Sequence, residues 1–141
     1  MNRKLVVIIL LAVVTGFGVY SFVNNKAESH ASGPAISDLI SGKPQVTPIP
    51  GMVTMVDLGA HSCVPCKMMA PIIKELSAEY EGKAAIVFID VWQNPDEGKK
   101  YAISAIPTQI FYDADGVERY RHQGFFDKAA IKAKLAELGV K

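Results

Sequence analysis

The hydrophobic and polar positions of this chain divide it into an apolar N-terminal run and a longer part in which helical and strand-like patterns alternate. The apolar run covers residues 5–23 without a charged residue, and a polar stretch of small residues follows over residues 24–34. From Ala35 onward, apolar runs typical of buried strands alternate with segments whose apolar residues recur every three to four positions. This alternation predicts one α/β domain over residues 35–141, with no internal repeat.

The predicted elements of the domain follow from these two periodicities. The predicted strands cover residues 52–58, 84–91, 109–112 and 117–122. The predicted helices cover residues 36–40, 95–101 and 127–138, together with a longer helix that Cys63 opens and that runs to about Tyr80. The last two strands flank Asp113-Ala-Asp-Gly116, a turn sequence typical of an antiparallel hairpin. The apolar face of the longest helix is expected to carry Met68, Met69, Ile72, Ile73, Leu76 and Tyr80.

The apolar run at the N-terminus predicts a membrane anchor over residues 1–23. Its 19 uncharged residues, at about 1.5 Å each, cover a hydrocarbon core of about 30 Å. A cleaved signal peptide is the alternative, but its nearest small-residue cleavage site, after Ala31, lies late in the sequence. Arg3 and Lys4 precede the run and should stay in the cytoplasm. Either interpretation places the rest of the chain outside the cytoplasm.

The stretch over residues 24–34 predicts a flexible linker between the anchor and the domain. Its 11 residues span about 20 Å as a flexible coil, so the domain should work close to the membrane surface. The formal net charge is +1 and no block of like charge occurs, so the composition gives no sign of a nucleic-acid partner.

The only two cysteines of the chain, Cys63 and Cys66, are three residues apart between a predicted strand and a predicted helix. One turn of helix brings their sulfurs close enough to bond. The N-terminus of the helix favours the thiolate of the first cysteine through its unpaired N–H groups and the positive end of its dipole. We therefore predict a redox-active disulfide in which Cys63 is the nucleophile and Cys66 is the resolving thiol.

Two other interpretations of the cysteine pair are weaker. A purely structural disulfide would close so small a ring that it restrains little of the unfolded chain. A structural zinc site needs four ligands, and His122 would join Cys63, Cys66 and His61 only if the hairpin folded over the motif. His61 is also a candidate for stabilising the thiolate, although a solvated loop histidine is the commoner case. We therefore predict no metal site.

Four features occur in order along the domain. They are Val56-Asp57 ahead of Cys63-Val-Pro-Cys66-Lys67, then Ala70-Pro71 with Asn94-Pro95, then Ala105-Ile106-Pro107-Thr108, and finally Gly124. Through these features, residues 52–138 resemble thioredoxin-fold proteins, and the chain is most similar to the membrane-tethered, exported thioredoxin-like proteins of bacteria. The resemblance implies a thioredoxin fold, an α/β arrangement in which helices flank a central mixed sheet.

The resemblance also implies roles for individual residues. Pro107 matches the cis-proline that packs against the disulfide, where the carbonyl and N–H of Ile106 would pair with an extended substrate peptide. A trans proline ending a loop is the alternative, although an X-Pro bond is almost the only one that tolerates the cis isomer. Val64 and Pro65, between the cysteines, are the other expected substrate-binding residues.

Asp57 matches the buried acid of thioredoxins. A carboxylate removed from water has a raised pKa and can accept or relay the proton of Cys66. The alternative is an aspartate at the exposed end of the strand.

The sequence departs from the family pattern at three places. Ser62 replaces the aromatic residue that usually precedes the first cysteine, and Val64-Pro65 replaces Gly-Pro between the cysteines. Phe88 stands where many thioredoxins have a lysine that partners the buried acid. Without that cation, the Asp57 carboxylate should be less stabilised, and neither the redox potential nor the choice of partner can be copied from cytosolic thioredoxin.

These features together predict a thiol–disulfide oxidoreductase that acts on exported cysteine-containing proteins from the bacterial cytoplasmic membrane. It would be a single-pass protein with its catalytic domain on the periplasmic side and no cofactor. We expect a reductase recharged by a membrane thiol electron donor, because no histidine lies between the cysteines to stabilise the thiolate, as an oxidant requires. The alternative is a binding module that delivers Cu(I) or Zn through the same two cysteines.

Overall fold

The computed structural model describes residues 35–141, in which the apolar and amphipathic segments of the sequence form four strands and four helices. The elements in chain order are α1 (Ile36–Leu39), β1 (Thr54–Gly59), α2 (Val64–Glu79), β2 (Ala85–Asp90), α3 (Pro95–Lys100), β3 (Thr108–Tyr112), β4 (Glu118–Gln123) and α4 (Lys128–Glu137). Each lies within two or three residues of its predicted position, at both ends.

The predicted anchor over residues 1–23 and the predicted linker over residues 24–34 lie outside the described residues. Among the helices of residues 35–141, none combines the length and the apolar character needed to cross a bilayer. The anchor therefore stays a prediction.

The four strands form one mixed sheet in the order β2-β1-β3-β4. Strand β1 pairs in parallel with β2 and antiparallel with β3, and β3 pairs antiparallel with β4. All six residues of β1 are buried, as expected for a strand that has neighbours on both sides and helices over both faces. Because β1 leads directly into the cysteine motif, the site is attached to the most buried part of the sheet.

The two faces of the sheet pack into separate apolar clusters. Since side chains alternate along a strand, Met55 belongs to the cluster beneath α2 and α4, whereas Val56 and Leu58 belong to the opposite cluster. The first cluster also contains Met69, Ile73, Leu76, Ile86, Phe111, Ile131 and Leu135. The same alternation places Asp57 on the face of Met55, toward the helix that carries the cysteines.

Helix α2 begins after Cys63 and continues through Pro71 to Glu79. Its inward face carries Met69, Ile73 and Leu76, as predicted. The prediction for Met68 was wrong, since its side chain is 54% exposed. Each residue turns the helix by about 100°, so the two adjacent methionines cannot both face the core, and the fully buried Met69 takes the inward position.

Candidate active site

The cysteine pair lies at the junction of β1 and α2. Cys63 and Cys66 form a disulfide with their Cα atoms 5.2 Å apart. Cys63 is the N-cap of α2, and its Sγ accepts a hydrogen bond from the backbone N–H of Cys66 at 3.4 Å. The first sulfur therefore faces the unpaired N–H groups of the helix, the environment that favours a thiolate after reduction.

The loop before β3 lies beside the disulfide. The peptide bond between Ile106 and Pro107 is cis, and Ile106 packs against the small cluster formed by Cys63, Cys66 and Ala60. The carbonyl of Pro107 accepts a hydrogen bond from the backbone N–H of Gly124 at 2.8 Å. This bond connects the proline loop to the end of β4.

Gly124 has φ of 99°, a backbone conformation that glycine adopts far more readily than other residues. The positive φ needed at this turn explains why a glycine follows the hairpin, where its N–H bonds the proline loop.

Asp57 is buried beneath the cysteine motif, with 1% of its surface exposed. It lies on β1 opposite Phe88 of β2 and Gln109 of β3, so the alternative of an exposed strand end does not apply. Burial raises the pKa of Asp57 from 3.8 to about 7, although the hydrogen bond from Gln109 lowers it. A carboxyl group with this pKa can gain or lose a proton near neutral pH.

Asp57 and Cys66 line the same cavity, which has a volume of about 230 Å³. Its walls are mostly apolar and include Ile73 and Phe88. Exposed residues that also line it are His61, Lys67 and Lys74. The buried acid and the resolving cysteine therefore share one space, through which a proton can pass between them.

Gly59, at the end of β1, was not recognised in the sequence as a site residue. A β-carbon at this position would lie 3.3 Å from Cys66 Sγ and 3.2 Å from the ring of Phe88. The strand backbone thus passes so close to the resolving sulfur that any side chain would press on it. A glycine ending an apolar run four residues before Cys63 was the available signal.

His61 is an exposed loop histidine whose ring is paired with a buried acid. Its Nδ1 lies 2.5 Å from Asp90 Oδ2, and its backbone N–H donates to the same oxygen. Burial tends to raise the pKa of Asp90, but hydrogen bonds from the backbone N–H groups of His61, Gln93 and Trp92 outweigh it and lower this pKa. The His61 ring meets Phe88 edge-on at 5.1 Å between centroids.

The hypothetical zinc ligands do not come together. Within residues 35–141, no three His, Cys, Asp or Glu side chains are grouped so that they could hold a metal ion. His122 instead stacks on Phe126, with 4.2 Å between the ring centroids.

The sequence model of the thioredoxin family matches residues 49–137, more than half of the chain. The chain belongs to the thioredoxin family. The thioredoxin of Staphylococcus aureus is 48% identical over 68 residues, which are 48% of this chain and 65% of that protein. The match thus spans just under two thirds of the length of this curated relative.

Solved thioredoxin structures have the same fold. The thioredoxin of Fasciola hepatica aligns with a TM-score of 0.56 and 30% identity, over 62% of this chain and 82% of its own. The germline-specific thioredoxin Deadhead of Drosophila melanogaster aligns with a TM-score of 0.56 and 26% identity, over 62% and 82%. The predicted thioredoxin fold, a mixed sheet flanked by helices, is confirmed for the described domain.

The thioredoxin-family assignment gives the arrangement a chemical meaning. Cys63 and Cys66 form the disulfide, and Asp57 lies beneath them. The side chain of Ile106 packs beside the pair, and Val64 is 73% exposed between the two cysteines. This set of groups is suited to thiol–disulfide exchange, in which an accessible thiolate attacks a disulfide and a second thiol resolves the product.

Proposed function

We propose that this thioredoxin-family protein is a thiol–disulfide oxidoreductase that reduces disulfides in exported proteins. The observation that carries the proposal is the Cys63–Cys66 disulfide at the N-terminus of α2, with the buried Asp57 lining the same cavity as Cys66. A structural role for the disulfide would give no reason to bury an acid beside it.

The reaction begins with the reduced protein. The Cys63 thiolate attacks one sulfur of the substrate disulfide, which forms a mixed disulfide and releases the first substrate thiolate. Cys66 then gives its proton to Asp57, and its thiolate attacks Cys63 Sγ. The mixed disulfide breaks, the Cys63–Cys66 disulfide forms, and the second substrate thiolate leaves. Two electrons have passed to the substrate, and each released thiolate takes a proton.

Substrate binding uses the backbone of Ile106 together with Val64, Pro65 and Pro107. An extended peptide that pairs with Ile106 would bring its own cysteine against Cys63. A groove of about 300 Å³ begins at Ile106 and includes Trp92, whose side chain is 59% exposed. Exposed apolar side chains beside a reactive sulfur favour partially unfolded or flexible protein substrates.

The reducing direction is proposed from the Val64-Pro65 dipeptide, which supplies no charge or histidine to stabilise the Cys63 thiolate. A dithiol without such stabilisation gives up its electrons more readily. The oxidised protein must then be recharged, and a membrane thiol electron donor is the proposed source of two electrons and two protons.

The proposed location rests on residues 1–34 as a sequence. An uncharged run over residues 5–23 with Arg3 and Lys4 before it supports a single-pass anchor in the bacterial cytoplasmic membrane, with the domain on the periplasmic side. The polar stretch over residues 24–34 supports a short tether.

A redox titration of Cys63 and Cys66 against glutathione, run beside insulin reduction driven by dithiothreitol, tests the proposal. We expect turnover in the insulin assay and a midpoint more reducing than the glutathione pair. A purified protein that holds stoichiometric Cu(I) or Zn and fails to turn over insulin would favour the metal-delivery alternative and contradict the proposal.

A further inference from the structure

Gln109 is a buried amide in the middle of the sheet. It lies on β3 directly opposite Asp57 of β1, and it is fully buried. Its Nε2 donates a hydrogen bond to Asp57 Oδ1 at 2.8 Å. Its Oε1 is the one buried side-chain nitrogen or oxygen without a hydrogen-bond partner in the part of the chain that the structure describes.

An unpaired amide oxygen is costly in a protein interior. Burying a carbonyl without a partner destabilises the fold, and an apolar side chain of similar size would avoid the penalty. The neighbours of Gln109 on β3, Ile110 and Phe111, are apolar and fully buried. The position is therefore compatible with an apolar residue, and the amide needs a reason other than packing.

No cation among residues 35–141 forms a salt bridge with Asp57, although basic side chains line the same cavity. Across the sheet Asp57 faces Phe88 of β2, and Cys66 lines the cavity that both residues share.

The other charged or titratable groups that line this cavity are Lys67 and Lys74 of α2 and His61, which is paired with Asp90. Lys67, Lys74 and His61 are all exposed to solvent. Among the described contacts of Asp57, Gln109 alone makes a hydrogen bond to the carboxylate.

We propose that Gln109 positions the Asp57 carboxylate and sets the pH range in which it accepts the proton of Cys66, taking the place of a cationic partner. Gln109 is a positioning residue, since it acts through its hydrogen bond to Asp57. The proposal rests on the proposed role of Asp57 as proton acceptor.

An amide suits both protonation states of the acid. Nε2 donates to Asp57 Oδ1, and this bond stabilises the ionised acid. When Asp57 has taken the proton of Cys66, its new O–H becomes a donor, and Oε1 of Gln109 is a buried acceptor with no other partner. A lysine offers only donors, so it would favour the ionised acid alone.

The test is the substitution Gln109→Met, which keeps the length of the side chain and removes both the donor and the acceptor. The titration of the Asp57 carboxyl carbon, followed by NMR in the reduced protein, should move up by about one pH unit. The substitution removes hydrogen bonds from both forms of the acid, but the bond to the charged form is the stronger of the two. The rate of mixed-disulfide resolution should shift along the pH axis by the same amount and fall about tenfold below the new midpoint.

Two controls separate positioning from a general effect on the fold. Thr108→Val, a buried polar-to-apolar change one residue away on the same strand, should leave the Asp57 titration in place. Gln109→Met added to Asp57→Asn should leave the pH profile of the single Asp57→Asn variant unchanged. If Gln109→Met does not fold, Gln109→Leu serves the same purpose.

An Asp57 titration that stays in place in a folded Gln109→Met or Gln109→Leu protein overturns the inference, whatever happens to stability. A titration that moves while the rate profile stays still supports the link between Gln109 and Asp57. That second result overturns instead the role of Asp57 as proton acceptor, so failure of the inference and failure of the proposed mechanism give different results.

Discussion

The backbone of Gly59 lies against the sulfur of Cys66, so that a β-carbon on this glycine would approach Cys66 Sγ to 3.3 Å and the Phe88 ring to 3.2 Å. The disulfide holds the sulfur in place, and the Phe88 ring packs edge-on against His61. The close approach leaves no room for a side chain at the end of β1.

We therefore expect Gly59→Ala to destabilise the oxidised protein by about 1–2 kcal/mol, as is typical of overpacking in a core. Urea denaturation measures the loss. Gly98→Ala is the matched control, because the new β-carbon would meet nothing closer than 3.9 Å and alanine favours the helical position. Equal changes in the free energy of unfolding for the two substitutions would mean that the close approach of Gly59 to Cys66 does not affect stability.

The position of Cys63 at the N-cap of α2 predicts unequal roles for the two thiols. Cys66→Ser should accumulate mixed disulfides between Cys63 and substrate proteins, because nothing remains to resolve them. Cys63→Ser should accumulate none. Non-reducing electrophoresis after rapid alkylation measures both variants, and equal trapping by the two would contradict the assignment of Cys63 as nucleophile.

Asp57 makes the stability of the protein depend on pH. Burial raises its pKa from 3.8 to about 7, so between these values the folded protein holds a proton that the unfolded chain has released. Stability therefore falls as pH rises through this window, and the full penalty above it is on the order of 4 kcal/mol, at about 1.4 kcal/mol per pH unit.

Asp57→Asn removes this penalty. The variant should be more stable than the parent at about pH 8, by up to that amount, and the difference should vanish toward about pH 4. Chemical denaturation across the range measures it, with Asp115→Asn in the exposed turn as a control for the loss of one charge. A stability difference that does not change with pH would contradict the buried, ionisable Asp57.

The same substitution should slow the catalytic cycle. Without the carboxylate, Cys66 loses its proton acceptor, so resolution of the mixed disulfide should be slowed most near neutral pH. The effect should fade as the pH approaches the pKa of the thiol itself, because the thiolate then forms unaided. Rates of insulin reduction as a function of pH measure this, and an Asp57→Asn protein as fast as the parent at neutral pH would rule the mechanism out.

The apolar run over residues 5–23 predicts that the full-length protein stays with membranes after a high-salt wash and keeps its N-terminus. Cell fractionation followed by N-terminal sequencing measures both properties. A soluble form that starts near Ser32 would show that the segment is a cleaved signal peptide, and it would contradict the predicted anchor.

The redox centre could be predicted because its signal is local. The spacing of Cys63 and Cys66, at the point where an apolar run passes into a helical pattern, is contained in a few adjacent residues. The strands and helices followed from periodicity for the same reason. Asp57 could be placed through its family motif, since it lies six residues before the first cysteine.

The surroundings of the redox centre could not be predicted, because they depend on contacts between distant parts of the chain. Gln109 meets Asp57 across 52 positions, and the register between β1 and β3 decides which residue lies opposite the acid. The pairing of His61 with Asp90 likewise joins the loop after β1 to the end of β2. Alternation of apolar and polar residues helps to set the register of a half-buried strand, but β1 is buried at every position and shows no such alternation.

Strand β4 is one edge of the sheet, and an unpaired edge can add a strand from another molecule. Its sequence, Glu-Arg-Tyr-Arg-His-Gln over Glu118–Gln123, places one acidic and two basic residues along that edge. Arg121 also donates to the carbonyl of Tyr101 at 2.8 Å, which turns this side chain back toward its own chain. The charged side chains on β4 therefore disfavour edge-to-edge pairing between neighbouring molecules, which would otherwise lead to aggregation.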